Sequence, residues 1–293
     1  QALSVPEEIQ TAGAGTAENA AKSGVAAILA KDSDEAIAKA KQLLSVLPAN
    51  NLETAGNDYY MENDATVSAD LKGTDLINAV ADKESVIELY KQFGTSAVTA
   101  LASLNWRTVG FVGTNNGTKL TAQDSAKIAR FVTLCDAYSI PVVTFVDSEG
   151  FEKSSAAELA GSIRDSAKLA QAYASATTAK IAVVTGKAYG SAYVALASTA
   201  AGSDFTFAWE NAVIAPTTPE AAVVFLNGVS EDNAKQAQEY AENEADAFTA
   251  AANGYVDRVI TADDTKSALT AAIEATSSKR VVAPAKKHVN FVY

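Results

Sequence analysis

Lys180-Ile181-Ala182-Val183-Val184-Thr185-Gly186-Lys187-Ala188-Tyr189-Gly190-Ser191-Ala192-Tyr193 changes character halfway along. Its first part is a short apolar run rich in β-branched side chains, closed by Gly186. The run predicts a strand over 180–185 buried on both faces. The second part is a loop of small residues and tyrosines, and an Ala-rich stretch from Tyr193 predicts a helix over 193–201. Upstream, 108–112 and 141–146 read as strands, and 121–138 and 156–176 as helices. Downstream, 204–208 reads as a further strand. Strands that alternate with helices through short loops imply α/β units around a sheet covered on both sides.

The flanks are more helical. The spacing of Ala36, Ile37, Ala40, Leu43, Leu44 and Leu47 predicts an amphipathic helix over 33–47, with Ser33 or Asp34 as N-cap and Pro48 as terminator. A polar stretch follows, read as a linker, then short helices over 75–81 and 83–93. Toward the C-terminus come a long acidic helix over 231–252, a last helix over 263–277 and a basic tail over 279–288. No repeat of solenoid period is visible.

With 293 residues, 48% of them apolar, the chain can bury a sizeable core. The net charge of −12 argues against nucleic acid as a partner, because phosphate backbones require a basic face. No apolar run is long enough to span a bilayer, and no basic start followed by an apolar stretch marks a signal peptide. Cys135 is the only cysteine, which excludes an internal disulfide and a cysteine metal site and fits a reducing, cytoplasmic setting. Its apolar helical neighbours make it a core residue. His288 is the only histidine, so a multi-histidine metal site is impossible, and a Ser-His-Asp triad would have to draw on that one residue. The chain begins at Gln1 and holds one methionine, Met61, so it is read as processed or incomplete.

Chemistry is therefore left to backbone groups, carboxylates or a cofactor. The loop 186–193 lies between a strand and a helix, and its small residues let a ligand approach the backbone. Consecutive N–H groups at a helix start, at the positive end of the helix dipole, form an oxyanion hole without a reactive side chain. The same small residues equally suit tight strand–helix packing. Asp147 and Glu149 end a strand where α/β sites collect, but a structural cap serves as well. Asn115-Asn116-Gly117 reads as a turn, and Lys286, Lys287 and His288 as an exposed tail.

The run 187–193, Lys-Ala-Tyr-Gly-Ser-Ala-Tyr, resembles the Lys-Ala-Tyr-Gly-Gly-Ala-Tyr signature of the biotin-dependent acyl-CoA carboxyltransferases. Other stretches agree in order: Arg107-Thr108-Val109-Gly110, Ser125-Ala126-Lys127-Ile128-Ala129-Arg130-Phe131, Cys135 to Pro141, Gly150-Phe151, Ala208-Trp209-Glu210-Asn211-Ala212 and Pro284-Ala285-Lys286-Lys287-His288. The resemblance implies a crotonase-like α/β fold of repeated ββα units. It places 71–293 on the C-terminal carboxyltransferase domain, 56–70 on a linker, and 1–55 on the helical tail of an N-terminal half that is otherwise missing. It further implies that the backbone N–H groups of Ser191 and Ala192 receive the biotin carbonyl, with Ala188 and Gly190 beside them. Tyr189 and Tyr193 flank the loop, where they either stack on biotin and line its entry or serve as packing.

The implied cofactors are biotin on a separate carrier and a coenzyme A ester as substrate. The implied partners are the N-terminal half, a biotin carrier protein, and either a biotin carboxylase or a membrane decarboxylase subunit, in a trimeric or hexameric homo- or hetero-oligomer. Met61 lacks the setting of a biotin attachment site, and no Walker-type loop is present. Three positions depart from the pattern: Ser191 replaces a glycine, and Glu149 and Glu210 replace prolines. They keep two other readings open, a non-catalytic scaffold subunit and a hydratase or hydrolase of CoA esters that uses Glu149 as its acid–base carboxylate.

Overall fold

The computed structural model describes residues 15–53, 61–114 and 118–282. Three buried runs supply the parallel centre of one sheet: β3 (Arg107–Thr114), β4 (Val142–Ser148) and β5 (Lys180–Tyr189). Beside β3 lie the antiparallel β2 (Ala97–Leu104) and β1 (Ile87–Leu89). Beyond β5 lie β6 (Phe205–Trp209) and β8 (Arg258–Ile260), both parallel, giving the order β1-β2-β3-β4-β5-β6-β8. β7 (Val213–Ala215) pairs with the last three residues of β5.

Side chains alternate across the pleat, so each central strand feeds two cores. Val112, Val142, Val146, Ala182 and Val184 face one side, where they meet Ile128, Phe131, Val132 and Cys135 of α4 (Ala122–Ala137) and Leu169 and Tyr173 of α6 (Ser162–Ser175). Val109, Phe111, Val143, Phe145, Ile181 and Val183 face the other. Their partners there are Leu76 and Ile77 of α3 (Gly73–Val80) and Leu269 and Ile273 of α11 (Thr265–Ala275). Phe111 and Phe145 stack at 6.1 Å between centroids, and buried Trp209 donates from Nε1 to Thr265 Oγ1 at 2.9 Å. This two-faced, parallel-rich sheet is the expected α/β architecture.

The leading segment docks on that body. α1 (Ala17–Lys22) and α2 (Ser33–Val46) are tied down by three bonds: Thr108 Oγ1 to Val46 O at 2.8 Å, Arg130 Nη1 to Gly24 O at 2.9 Å, and the Tyr90 N–H to Ala27 O at 2.7 Å. The cap of α2 is Asp32 rather than Ser33 or Asp34. Its carboxylate reaches the Glu35 N–H at 2.8 Å, one residue earlier than the apolar spacing alone implied. In 61–70, Val67 is buried and the Asn63 amide donates to Asn78 O and Ala81 O at 2.7 Å each.

Other expectations change. The stretch 83–93 is not a helix: Ile87–Leu89 pairs with β2, an Ala-rich strand that sequence pattern hid, and Glu84 and Tyr90 adopt positive φ on either side. The helix expected over 156–176 is two, α5 (Ser155–Leu159) and α6, because Gly161 turns left-handed at φ +90°. The long acidic helix is also two, α9 (Asn233–Asn243) and α10 (Ala247–Ala252). There Ala245 O accepts from the Ile214 N–H of β7, and Asp246 caps the new helix through the Phe248 and Thr249 amides. α8 (Pro219–Asn227), with Pro219 in its first turn and Thr218 as cap, adds a helix to those expected. The helix expected over 193–201 starts earlier and stops sooner, as α7 (Gly190–Leu196) and a 3₁₀ turn, Thr199–Ala201.

Candidate active site

The strand expected to stop at Thr185 runs on to Tyr189, because its last residues find new partners. Ala188 pairs with Ser148 of β4, and Lys187, Ala188 and Tyr189 pair with Val213, Ile214 and Ala215 of β7. α7 follows with no loop between. Gly190 makes the turn at φ +54°, a conformation that disfavours side chains. A Cβ there would also lie 2.9 Å from the Pro216 carbonyl oxygen.

The amides of Ser191 and Ala192 sit in the first turn of α7, where the helix has no carbonyl to offer them. No side chain caps this helix, and among the described residues no turn or loop carbonyl takes either amide. Ser191 is exposed and Ala192 fully buried. The two residues thus straddle the boundary between core and solvent. Ala188 is fully buried between β4 and β7, and Tyr189 is nearly so. Burial, followed by the carboxylates of Glu220, Glu149 and Asp147, pushes the Tyr189 phenol up to about 12. Tyr193 turns its hydroxyl to Tyr255 O at 2.7 Å, and burial first, then Tyr255 and Asp257, raises it to about 12. Both tyrosines are neutral hydrogen-bonding groups near neutral pH.

Beside this junction an open cleft of about 410 Å³ is lined by Lys72, Asp147, Gly186, Lys187, Tyr189 and Asn211. Asp147 is buried and fully engaged. Its Oδ2 meets Lys72 Nζ at 2.8 Å, its Oδ1 accepts from the Lys187 N–H at 2.9 Å, and its own N–H donates to Thr114 Oγ1 at 2.6 Å. Glu149, on the rim, takes Lys187 Nζ at 2.6 Å. Lys72 lies 75 positions from Asp147 in sequence, and no local signal could have joined them. Glu210 is exposed. Cys135 is a buried core residue whose thiol is pushed well up, first by burial and then by Asp136. Asn115, Asn116, Gly117, Lys286, Lys287 and His288 lie outside the described residues. Among the described residues no group of acidic, His or Cys side chains is arranged to hold a metal, and no helix is long and apolar enough to cross a membrane.

Similarity to known proteins identifies the family and the fold. The family model of the carboxyl transferase domain matches residues 2–291. The mitochondrial propionyl-CoA carboxylase beta chain of Rattus norvegicus is 35% identical over 283 residues, covering 92% of this chain and 52% of the relative. The methylmalonyl-CoA decarboxylase subunit alpha of Veillonella parvula is 35% identical over 285 residues, covering 92% and 56%. Among solved structures, the transcarboxylase 12S hexamer with methylmalonyl-coenzyme A and methylmalonic acid bound superposes with a TM-score of 0.85 at 33% identity. That match covers 99% of this chain and 61% of the other. The chain spans about half the length of the curated relatives it matches.

Proposed function

Because the chain belongs to the biotin-dependent acyl-CoA carboxyltransferase family, with its crotonase-like fold, we propose that it moves a carboxyl group between biotin and an acyl-CoA, using the amides of Ser191 and Ala192. The observation that carries this reading is the pair of adjacent, uncapped N–H donors opening α7 at the core–solvent boundary. When its carrier delivers it, biotin supplies the ureido nitrogen that carries the carboxyl group. The chain's own contribution is to hold the ureido oxygen. Gly190 brings the backbone around without a side chain in the way, and the two amides stabilise negative charge on that oxygen as the carboxyl group departs. A preset donor of this kind is worth about 3 kcal/mol in the transition state. Ala188 and Tyr189 fix the strand end from which the turn begins, and Tyr193 anchors the helix through Tyr255 O.

The acyl-CoA side of the reaction falls to the other half of a full-length carboxyltransferase, which this chain would meet as a partner. Further partners are the biotin carrier and a biotin carboxylase or a membrane decarboxylase subunit, since carboxylases and decarboxylases both stand among the relatives. An oligomer is supported by the hexameric assembly of the similar transcarboxylase 12S and by apolar side chains left in solvent around α8. Phe225 and Val229 are each 89% exposed and Leu226 is 62% exposed. The single buried thiol supports a cytoplasmic, reducing compartment. The ion pair of Glu149 with Lys187 weighs against hydration or hydrolysis, because it occupies the carboxylate that would act as acid and base.

The test is Ser191→Pro. The residue is second in its helix, where proline is tolerated sterically and removes one donor. With the N-terminal half, biotin and acyl-CoA supplied, carboxyl transfer should fall at least a hundredfold, whereas Ser191→Gly, which keeps the N–H, should remain active. Full activity in the proline variant would dismiss the assignment.

A further inference from the structure

β4 and β5 run in register to Val146↔Val184 and resume at Ser148↔Ala188. One residue of β4, Asp147, therefore stands opposite three of β5: Thr185, Gly186 and Lys187. An interruption of this kind strands an amide that the ladder would otherwise use. The Asp147 carboxylate fills that role by taking the Lys187 N–H at 2.9 Å. It is itself fixed from two other elements. Lys72, the N-cap residue of α3, holds its second oxygen at 2.8 Å, and Thr114 of β3 holds its backbone N–H at 2.6 Å. Gly186 is the matching vacancy: a Cβ there would lie 2.4 Å from Asp147 Oδ1 and 2.6 Å from its Cγ. The carboxylate cannot swing aside without giving up Lys72 or Lys187.

We propose that Asp147 is a positioning residue: through the Lys187 amide and the empty space at Gly186 it sets the length of the β5 bulge, and hence where the Ser191 and Ala192 amides come to rest. Three residues, Ala188, Tyr189 and Gly190, separate the clamped Lys187 from the first donor. The path between them is stiff, because Ala188 is locked to both β4 and β7, and Gly190 turns against Pro216 O. A change of bulge length by one residue would reverse which way each following side chain points and would break the Ser148↔Ala188 pair. In its consequence for biotin this inference rests on the function proposed above; in its consequence for strand register it does not.

The experiment uses the full chain, ¹⁵N-labelled, with biotin methyl ester as probe. In the unaltered protein the ester should shift the Ser191 and Ala192 amide resonances, and the Lys187 amide should exchange slowly with solvent. Asp147→Ala should speed Lys187 exchange at least tenfold, abolish the interstrand contact between Ser148 and Ala188, and weaken the ester at least tenfold. Asp147→Asn keeps an oxygen for the Lys187 N–H and should stay within about threefold of the original affinity, a rescue that a merely space-filling role would not give. Gly186→Ala should resemble Asp147→Ala, and should add less than twofold when combined with it, since the clash partner is gone. The Gly186 variant also serves if Asp147→Ala does not fold.

Unchanged Lys187 exchange and unchanged register in Asp147→Ala and Gly186→Ala would overturn the proposal. So would altered register with undiminished ester binding, or an Asn variant no better than Ala. If the unaltered protein shows no ester-dependent shift at Ser191 and Ala192, the biotin reading falls, and exchange at Lys187 with the Ser148–Ala188 contact alone decides whether Asp147 sets the register.

Discussion

Lys127 should make the protein more stable in alkali than its acidic composition suggests. The residue lies on α4 with only 2% of its surface exposed, and its ammonium is shared between Ala97 O at 2.7 Å and Gly94 O at 3.3 Å. Burial lowers its pKa from 10.5 to about 8, against the opposing pull of Glu88 and Asp124. The folded state therefore gives up this proton more readily than the unfolded chain does. The charged form penalises folding in full below about pH 8, and the penalty lifts as pH rises from about 8 toward 10.5. A difference of about 2.5 units, at about 1.4 kcal/mol each and with the unfolded lysine half titrated at the upper end, gives a gain of about 3 kcal/mol.

Every other group titrates in both proteins when the comparison is with Lys127→Met, so the difference isolates this one. Near pH 7 the methionine variant should lie within about 2 kcal/mol of the original, because release from burying a charge offsets two carbonyls left without a donor. By about pH 10.5 the original should have gained about 3 kcal/mol on the variant. Urea unfolding at a series of pH values measures the gap. A gap constant to about 0.5 kcal/mol across that range would refute the argument, since it would mean that Lys127 feels no desolvation.

Other outcomes follow from the site and the core. Ser191→Pro should cost about 3 kcal/mol of transition-state stabilisation, read as lost carboxyl transfer with the melting temperature nearly unchanged. Gly190→Ala should combine about 1–2 kcal/mol of left-handed strain with a contact on an immovable carbonyl, giving a lower urea midpoint and weaker binding of biotin methyl ester. Retained binding there would show that the turn relaxes. Asp147→Asn against Asp147→Ala should separate the acceptor from the ion pair in amide exchange at Lys187. Trp209→Phe leaves Thr265 Oγ1 buried without its donor and should lower stability by about 1–3 kcal/mol in urea unfolding; no loss would mean that the hydroxyl finds another partner.

The legible parts of the fold were those in which local pattern and burial coincide. Val142 to Val146 and Ile181 to Val184 are fully enclosed runs, and α4 carries a capping box at Thr121 and Asp124 that marks its start. β2 was hidden because its alanines suit a helix equally well, and only pairing with β1 and β3 makes it a strand. The breaks at Gly161 and Asp246 left traces in the sequence, a mid-helix glycine and an aspartate three residues before Thr249, but long Ala-rich periodicity outweighed them. At the site, Gly190, Ser191 and Ala192 stood out through small size and family likeness. Asp147 stood out only as the end of a strand. Its pairing with Lys72, the N-cap residue of α3, did not, because it is a contact across 75 positions that no window of sequence contains.

The two borders of the sheet decide how such a chain can associate. Along β1 the polypeptide already lies against its own leading segment, through the Tyr90 amide and Ala27. At the opposite border β8 is three residues long and opens with a solvent-facing arginine. Among the described residues, neither border offers the long, bare, apolar rail on which strands of a second molecule could continue the ladder. Copies of this protein should therefore meet through helical faces rather than by sheet extension, and concentrated solutions should resist the fibrous aggregation that open-ended strands invite.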